Sequence, residues 1–445
     1  MKKPFVKGGK ALTLAAALLC GAAFLGSFTA FGAAAQAESQ AEAQVFTPGV
    51  AGQITSCKIS GDKQNVEIGF SSSGDVTGTD GNIYVFEMQP YEEELGSRSN
   101  FIASSPALSA ASVSVPLNLG TPQDKLYSRF VLAVFDGTKF IKVSQPHYIT
   151  NPELIAKNQT PFNDPLTKKG LVIEIDMLSD AFDLGVKHVT TNIAFSQIMG
   201  TGIDYQYDGK TYHFNKGVVD AYDKTISALS NKGMTVTVIL LNDWNPNTPD
   251  LVYPGTQKNS NAFYYMFNAE TEAGFDQTKA IASFLAQHYS GDNPNYGKVS
   301  NWIIGNEINN QQWNYMGPMD LTNYVKAYQK AFRVIYTAIK STNANDRVYF
   351  SLDYNWMNEI DGKLKYGGKE IVDSFNSIAN TQGQMDWGLA YHPYPCPMTE
   401  PEFWDDPATG LVTESADSPI VNFANLHVLT DYLNQDSMKT ASGEV

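Results

Sequence analysis

The feature that most constrains the fold is an alternation of strand-like and helix-like patterns that begins after Asn151. Short runs of aliphatic and β-branched residues are each followed by a segment with apolar residues at helical spacing. We predict six strands, at residues 170–175, 186–193, 235–241, 299–307, 347–353 and 385–391, and five helices, at residues 217–231, 278–289, 321–339, 371–378 and 421–433. Regular β-then-α units imply a parallel sheet, which both doubly wound sheets and (β/α)₈ barrels satisfy.

Polar and aromatic residues just past successive strands favour the barrel. They include Asn192, Asp243, Trp244, Asn306, Glu307, Asp353, Tyr354, Trp356, His392 and Tyr394. In a barrel the carboxyl ends of all strands meet on one face, so these side chains would converge. No glycine-rich phosphate loop follows any of the strands, which argues against a dinucleotide-binding sheet. We therefore predict an α/β chain with a (β/α)₈ TIM-type barrel.

The strand count falls short of a closed barrel. A seventh strand should begin near residue 440, where the 445-residue sequence stops. Closure requires about two more βα units. We expect residues 151–445 to be a truncated barrel of about six units from a longer protein. The alternative is a barrel in which we have miscounted the strands and helices by one or two elements.

Residues 49–150 have a different sequence pattern, in which short strand-like runs are separated by turn residues and no long segment has helical periodicity. Asp136 and Gly137 separate two strand patterns, which is a hairpin signal. This pattern predicts a β-sandwich of the immunoglobulin or fibronectin type III kind before the barrel. The sandwich either binds glycan or acts as a spacer, and its lack of tryptophan favours the spacer.

The first residues indicate export from the cell. Four lysines precede a small-residue apolar run that ends in Ala35-Gln36-Ala37, as in a secretory signal peptide cleaved near Ala37. Residues 38–48 are polar and predicted to be a disordered leader. After cleavage we expect a secreted or extracytoplasmic protein with no integral membrane segment.

Charge and cysteine content exclude several functions. The formal net charge is −15, and loss of the four lysines of residues 1–37 makes it −19. Such a surface repels phosphate backbones and anionic lipids, so we expect no nucleic-acid partner. Cys57 and Cys396 fall in different predicted domains, and we expect no disulfide framework. No metal-binding motif is present, and we expect neither a metal nor a cofactor.

An apolar run from Val299 to Gly305 ends in the pair Asn306 and Glu307, and Asn309, Trp313 and Tyr315 follow it. A carboxylate at the end of a buried strand, surrounded by aromatic side chains, suits acid-catalysed sugar chemistry. The dipeptide alone is weak evidence, because Asn358-Glu359 repeats it without a strand before it. The apolar run and the strand number give the first pair its weight.

This motif, together with His392-Pro393-Tyr394 after the sixth strand, resembles the clan of retaining glycoside hydrolases built on (β/α)₈ barrels. The sandwich before the barrel is similar to an uncharacterised family of secreted bacterial glycosidase-like proteins. The resemblance implies that Glu307 is the acid/base and that Asn306 contacts the sugar 2-hydroxyl. It also implies a nucleophilic Glu at the end of a seventh strand, which we expect beyond Val445.

Further side chains are candidates for substrate binding. They are Asn192, Asp243, Trp244, Asn309, Trp313, Tyr354, Trp356, His392 and Tyr394. Tryptophans in loops past strand ends, including Trp404, are expected to be exposed at a cleft mouth, whereas Trp302 and Trp387 should pack in or beside the strands. His392 is either functional or a hydrogen-bonded histidine near a turn.

The leading hypothesis is a secreted retaining glycoside hydrolase that acts on a β-linked oligo- or polysaccharide, inactive as the present fragment. One departure from the clan is Asn192, where the second strand often ends in an arginine. The alternative is a non-catalytic carbohydrate-binding or surface protein on the same barrel. A metal-dependent hydrolase is a weaker third reading, because the six histidines are scattered without ligand spacing.

Overall fold

The structure is a computed structural model that describes residues 52–72, 78–440 and 442–443. The predicted signal peptide and leader lie outside these residues. The described chain is mixed α/β, with antiparallel sheets first and a parallel sheet after them. No helix in the described ranges is both long enough and apolar enough to cross a lipid bilayer.

The first part of the chain, residues 52–148, which we call the β region, forms two antiparallel sheets. Its strands are β1 (Gly52–Ile59), β2 (Asn65–Ser72), β3 (Asn82–Met88), β4 (Ala103–Pro106), β5 (Ala110–Pro116), β6 (Arg129–Phe135), β7 (Phe140–Lys142) and β8 (His147–Tyr148). One sheet has the order β1-β2-β5 and the other β4-β3-β6-β7, with β8 paired to β6. Both sheets contribute to one core, in which Cys57 and Ile68 lie with Val85 and Leu132. The predicted hairpin at Asp136-Gly137 joins β6 to β7, and the immunoglobulin-like sandwich stays a prediction.

The second part contains a six-stranded parallel sheet. Its strands are β9 (Gly170–Val172), β10 (His188–Ala194), β13 (Thr235–Leu241), β14 (Asn301–Ile304), β15 (Arg347–Leu352) and β16 (Trp387–Tyr391), and a separate hairpin consists of β11 (Gly202–Tyr207) and β12 (Lys210–Asn215). The sheet order is β16-β15-β14-β13-β10-β9, and every neighbouring pair is parallel. The prediction of a six-stranded parallel sheet is confirmed, and the sheet curls as half of a barrel.

Helices cover one face of this sheet. They are α1 (Leu178–Asp183), α2 (Phe195–Ile198), α3 (Lys216–Ser230), α4 (Glu272–His288), α5 (Leu321–Lys340), α6 (Gly368–Gln382) and α7 (Leu426–Leu433). Val238, Trp302 and Phe350 point from the sheet into the core that these helices share. The opposite face is less covered, and Asn192 on β10 is exposed there. Parallel sheets are normally covered on both faces, so this one has a face left for further packing.

Helix starts differ from the predictions where polar side chains cap the backbone. The helix α4 begins at Glu272, six residues before the predicted start, because the Thr271 hydroxyl accepts a hydrogen bond from the Gly274 N–H at 3.1 Å. The helix α7 begins at Leu426, later than predicted, because Asn425 Oδ1 accepts from the Asn422 N–H at 2.9 Å and holds a turn.

The β region packs against α4 and α5. Lys330 Nζ on α5 is buried and donates to Glu93 at 2.8 Å and to Glu270 at 2.5 Å. The Tyr91 ring packs on Phe275 of α4 with centroids 5.6 Å apart. Burial alone would raise the pKa of Glu93, but the hydrogen bond and charge of Lys330, with two further cations, lower it to about 2. This contact lies on the helical side of the parallel sheet.

Candidate active site

The position of Glu307 is set by a sharp turn at the end of β14. The strand ends at Ile304, and the backbone then turns through left-handed conformations, with φ of +75° at Gly305 and +43° at Glu307. Glycine adopts such a conformation freely, whereas glutamate does so at a cost. The turn brings Glu307 to the carboxyl end of the sheet, where the sequence predicts it.

Ser351 on the neighbouring strand β15 holds this turn in place. Its hydroxyl accepts a hydrogen bond from the Glu307 N–H at 2.8 Å and lies 3.4 Å from the Gly305 carbonyl, to which it donates. Ser351 is fully buried, so water does not compete for these bonds. The left-handed backbone of Glu307 is therefore supported by one side chain of the next strand.

Two side chains that follow β16 hold the Glu307 carboxylate. His392 Nδ1 lies 2.7 Å from Oε1, and the Tyr394 hydroxyl donates to the same oxygen at 3.0 Å. Since a carboxylate oxygen only accepts hydrogen bonds, we assign to His392 the tautomer that carries a proton on Nδ1. The backbone N–H of His392 donates to the Leu352 carbonyl of β15 at 2.9 Å, which fixes the position of the residue. Burial, and then the charge of Glu307, raise the pKa of Tyr394.

Asn309 and Asp353 form a reciprocal pair beside this carboxylate. Asn309 Nδ2 donates to Asp353 Oδ1 at 2.6 Å, and the Asp353 N–H donates to Asn309 Oδ1 at 3.0 Å. Asn355 donates to both oxygens of Asp353 through its backbone and side chain. Burial is the main cause of a raised pKa at Asp353, to which the charge of Glu307 adds. Asn309 is buried with its amide engaged, so it joins two loops and offers little surface to a ligand.

Asn306 follows the end of β14, whereas Asn192 lies within β10, two residues before its end, so the expectation that Asn192 stands just past a strand is wrong. The Asn306 amide is partly exposed and has no hydrogen-bond partner among the residues that the structure describes. Asn192 is exposed on the uncovered face of β10, level with Ile239 of β13. Both positions are open to a ligand, and their predicted contacts with substrate stay predictions.

Asp243 and Trp244 follow β13 and have protein partners. Asp243 accepts a hydrogen bond from Gln197 Nε2, and burial raises its pKa. Trp244 is half-buried and packs against Tyr265 with ring centroids 5.3 Å apart. Asp243 is thus held near α2, on the opposite side of β14 from β15 and β16.

Of the remaining aromatic candidates, two are accessible and one is not. Trp313 and Tyr354 are partly exposed, and Tyr354 meets Tyr394 edge to face at 5.9 Å. The expectation of an exposed Trp356 is wrong, because its ring is fully buried and its Nε1 donates to the Ala416 carbonyl at 2.9 Å. The segment that returns after residue 410 covers this ring, and no local pattern reveals that.

Ser351 and Phe263 were missed by sequence reasoning. Ser351 lies within a predicted strand, and serine in a strand carries no signal of a structural role. Phe263 lies in the long connection after β13, where no periodicity exists. For metals the search of the described residues is negative, with no cluster of three or more His, Cys, Asp or Glu side chains that could hold an ion.

The family model described as a family of unknown function, DUF5722, matches residues 161–445, which is more than half of the chain. The chain belongs to this family. The DUF5722 match covers all six parallel strands together with Glu307, His392 and Tyr394. No curated protein matches the sequence.

Solved structures similar to this DUF5722 chain include two glycosidases. The family 1 β-glucosidase from Thermotoga maritima is 17% identical over 49% of this chain and 52% of that chain, with a TM-score of 0.29. The β-glycosidase from the hyperthermophile Thermosphaera aggregans is 14% identical over 49% of this chain and 54% of that chain, with a TM-score of 0.28. The match thus spans about half of each known structure. Similarity of this size does not decide activity.

Proposed function

We propose that the complete protein is a secreted retaining glycoside hydrolase that acts on a β-linked oligo- or polysaccharide, with Glu307 as the acid/base. The observation that carries the proposal is the asymmetry of the Glu307 carboxyl group. Oε1 is held by His392 and Tyr394, whereas Oε2 has no hydrogen-bond partner among the described residues. One oxygen is fixed and the other is free at the carboxyl edge of the sheet.

This arrangement suits proton transfer to a glycosidic oxygen. Two donors on Oε1 fix the direction of the carboxyl plane, so Oε2 can give its proton along one line. In the second half of a retaining reaction the same oxygen takes a proton from water. The Asn306 amide, which has no partner among the described residues, supports its proposed role as a donor to a sugar hydroxyl beside the reacting carbon.

A retaining enzyme needs a second carboxylate about 5–5.5 Å from the first. Asp353 is a carboxylate whose pKa the charge of Glu307 helps to raise, but its oxygens already accept hydrogen bonds from Asn309 and Asn355. We propose that the nucleophile is a Glu on a seventh strand, beyond Val445. The sheet order supports this, because β16 is the last strand at that side among the described residues and a strand added next to it would lie beside His392 and Tyr394.

The other parts of the proposal rest on the sequence. Secretion rests on the signal-peptide pattern of residues 1–37, and the β-linkage on the resemblance to the retaining clan. The β region acts as a spacer, and its contacts with α4 and α5 support that role. A non-catalytic carbohydrate-binding protein is the second candidate, favoured by the occupied state of Asp353.

The test begins with the gene downstream of codon 445. The hydrolase proposal expects an apolar strand that ends in Glu within about thirty residues, given usual connection lengths. The complete protein is then assayed on β-linked oligosaccharides and on aryl glycosides with good and poor leaving groups. Loss of the acid matters only when the leaving group needs a proton, so Glu307→Ala should be impaired much more on the poor leaving group.

Three outcomes contradict the hydrolase proposal. They are an absent downstream Glu, equal loss of activity on both leaving groups in Glu307→Ala, and no hydrolysis of any substrate by the wild type. Binding of the oligosaccharides without hydrolysis would favour the second candidate. Activity that survives Glu307→Gln and is abolished by a chelator would instead indicate metal-dependent hydrolysis.

A further inference from the structure

Three aromatic rings form a ledge near the carboxyl edge of the sheet. The Phe263 and Trp313 rings lie 4.7 Å apart at 27°, and the Tyr264 and Trp313 rings lie 6.3 Å apart at 28°. Phe263 is 45% exposed, which leaves much of its surface free. We call Phe263, Tyr264 and Trp313 the aromatic ledge.

Backbone hydrogen bonds fix the ledge between two loops. The Phe263 N–H donates to the Gln312 carbonyl at 2.8 Å, and the Tyr315 N–H donates to the Tyr264 carbonyl at 2.9 Å. The Tyr265 N–H donates to the Asn242 carbonyl at the end of β13 at 2.8 Å. The exposed ring is therefore held in place before any ligand arrives, which lowers the entropy cost of binding.

The chemistry of the ledge selects a neutral ligand. Residues 259–268 and 308–319 contain no charged side chain in a chain with a net charge of −15, and the amide residues Asn261 and Gln312 lie within two positions of Phe263 and Trp313 in the sequence. Apolar faces next to uncharged donors and acceptors match a sugar ring, which has an apolar face and a rim of hydroxyls. A charged ligand would find no partner in these two segments.

The backbone connects the ledge directly to Glu307. The Asn310 N–H donates to the Glu307 carbonyl at 2.9 Å, and the Trp313 N–H donates to the Asn310 carbonyl at 3.0 Å. Two successive turns thus lead from the proposed acid to the ledge. Because the acid gives its proton to the leaving oxygen, the leaving group of a bound substrate lies beside Glu307, to which these two turns join the ledge.

We propose that the aromatic ledge binds a sugar ring of the leaving group by stacking. The proposal rests on the proposed function, since it takes Glu307 as the acid. It makes the enzyme selective for glycans that extend past the cleaved bond. A substrate with a small leaving group, such as a glycosyl fluoride, does not reach the ledge.

Binding is measured by calorimetry on the complete protein with Glu307→Gln, using cellohexaose, laminarihexaose and β-1,4-galactohexaose as probes. Phe263→Ala and Trp313→Ala should each weaken binding of the accepted hexaose by about tenfold or more, as expected for an anchor residue. Trp313→Phe keeps a ring and should restore most of the affinity.

Phe101→Ala is the matched control. Phe101 is 43% exposed and packs on Tyr84 at 4.7 Å, but it lies in the β region. Its removal should leave the affinity unchanged. Equal affinity in all variants, loss in Phe101→Ala as well, or no binding of any of the three hexaoses would overturn the proposal.

Rates of hydrolysis distinguish failure of the ledge proposal from failure of the hydrolase proposal. With Glu307 restored, Phe263→Ala should lower kcat/KM on the hexaose and leave it unchanged on the glycosyl fluoride. Hydrolysis that is insensitive to both ledge variants would overturn the ledge and keep the hydrolase. Ledge-dependent binding without any hydrolysis would support the ledge and contradict the hydrolase.

Discussion

The Ser351 hydroxyl lies 2.8 Å from the Glu307 nitrogen and is fully buried between adjacent strands. Ser351→Ala should lower the free energy of unfolding by about 1–3 kcal/mol, because it leaves the Glu307 N–H unsatisfied in the interior. The measurement is denaturant unfolding. Ser196→Ala is the control, since the Ser196 hydroxyl is buried without a hydrogen-bond partner in the described part of the chain and its loss should be nearly neutral. Equal effects of the two substitutions would show that the bond does not hold the turn.

The pairing of Asn309 with Asp353 predicts a pH-dependent defect. Asn309→Asp removes the amide donor and puts a second carboxylate beside Asp353, whose pKa is already raised by burial. The variant should be markedly destabilised at pH 7 and should recover part of its stability as the pH falls and the pair takes up a proton. Thermal unfolding between pH 4 and 7 measures this.

The neighbouring residue provides the comparison for that experiment. Asn310→Asp makes the same chemical change at the adjacent position. Asn310 Oδ1 accepts a hydrogen bond from the Gln312 N–H at 3.0 Å, and an aspartate oxygen can accept this bond equally well. Its stability should follow that of the wild type. A pH dependence shared by both variants would mean that the pairing with Asp353 is not the cause.

His147 predicts a loss of stability in mild acid. Burial, aided by the charge of Arg333, lowers the pKa of His147 from 6.5 to about 4. Between these values the unfolded chain binds a proton that the folded chain does not, so the free energy of unfolding falls as the pH drops from 6.5 to 4. The loss amounts to at most about 3 kcal/mol.

The measurement for His147 is the slope of the free energy of unfolding against pH. His147→Asn should flatten this slope between pH 4 and 6.5, whatever it does to the stability at pH 7. A slope that His147→Asn does not alter would contradict the assignment.

Two tryptophans predicted to be exposed should now behave oppositely. Trp356 is fully buried and should cost about 3–5 kcal/mol when replaced by alanine, whereas Trp404 is 63% exposed and should change stability by no more than about 0.5 kcal/mol. Chemical denaturation of the two variants checks this. Similar losses would mean that the environment of one of the rings is misassigned.

Strong local patterns predicted the parallel sheet well. The run from Thr235 to Leu241 is β-branched and aliphatic, and the predicted bounds agree with those of β13. The hairpin of β11 and β12 was overlooked although Asp208 and Gly209 are a hairpin signal, with φ of +49° and +71°. Where a pattern repeats along the chain, sequence reasoning is sufficient to locate an element.

The site could be predicted only in part. The strand before Glu307 indicated where this carboxylate lies, and His392 and Tyr394 were named because of their place after the sixth strand. The bonds of both to Glu307 come from the order of strands in the sheet, since 85 and 87 residues separate them from it. The roles of Ser351 and Phe263 depend on loops and strands that meet in space, which no single segment encodes.

The packing of the β region has a consequence for how the protein can be attached to a support. The β region contacts Lys330 and Phe275, which lie on helices, through its residues Glu93 and Tyr91. Glu307, in contrast, lies at the carboxyl ends of the strands. If the protein is attached to a support through the β region, the attachment is on the side of the molecule where α4 and α5 lie. The proposed catalytic edge then faces the medium, from which an insoluble polymer approaches.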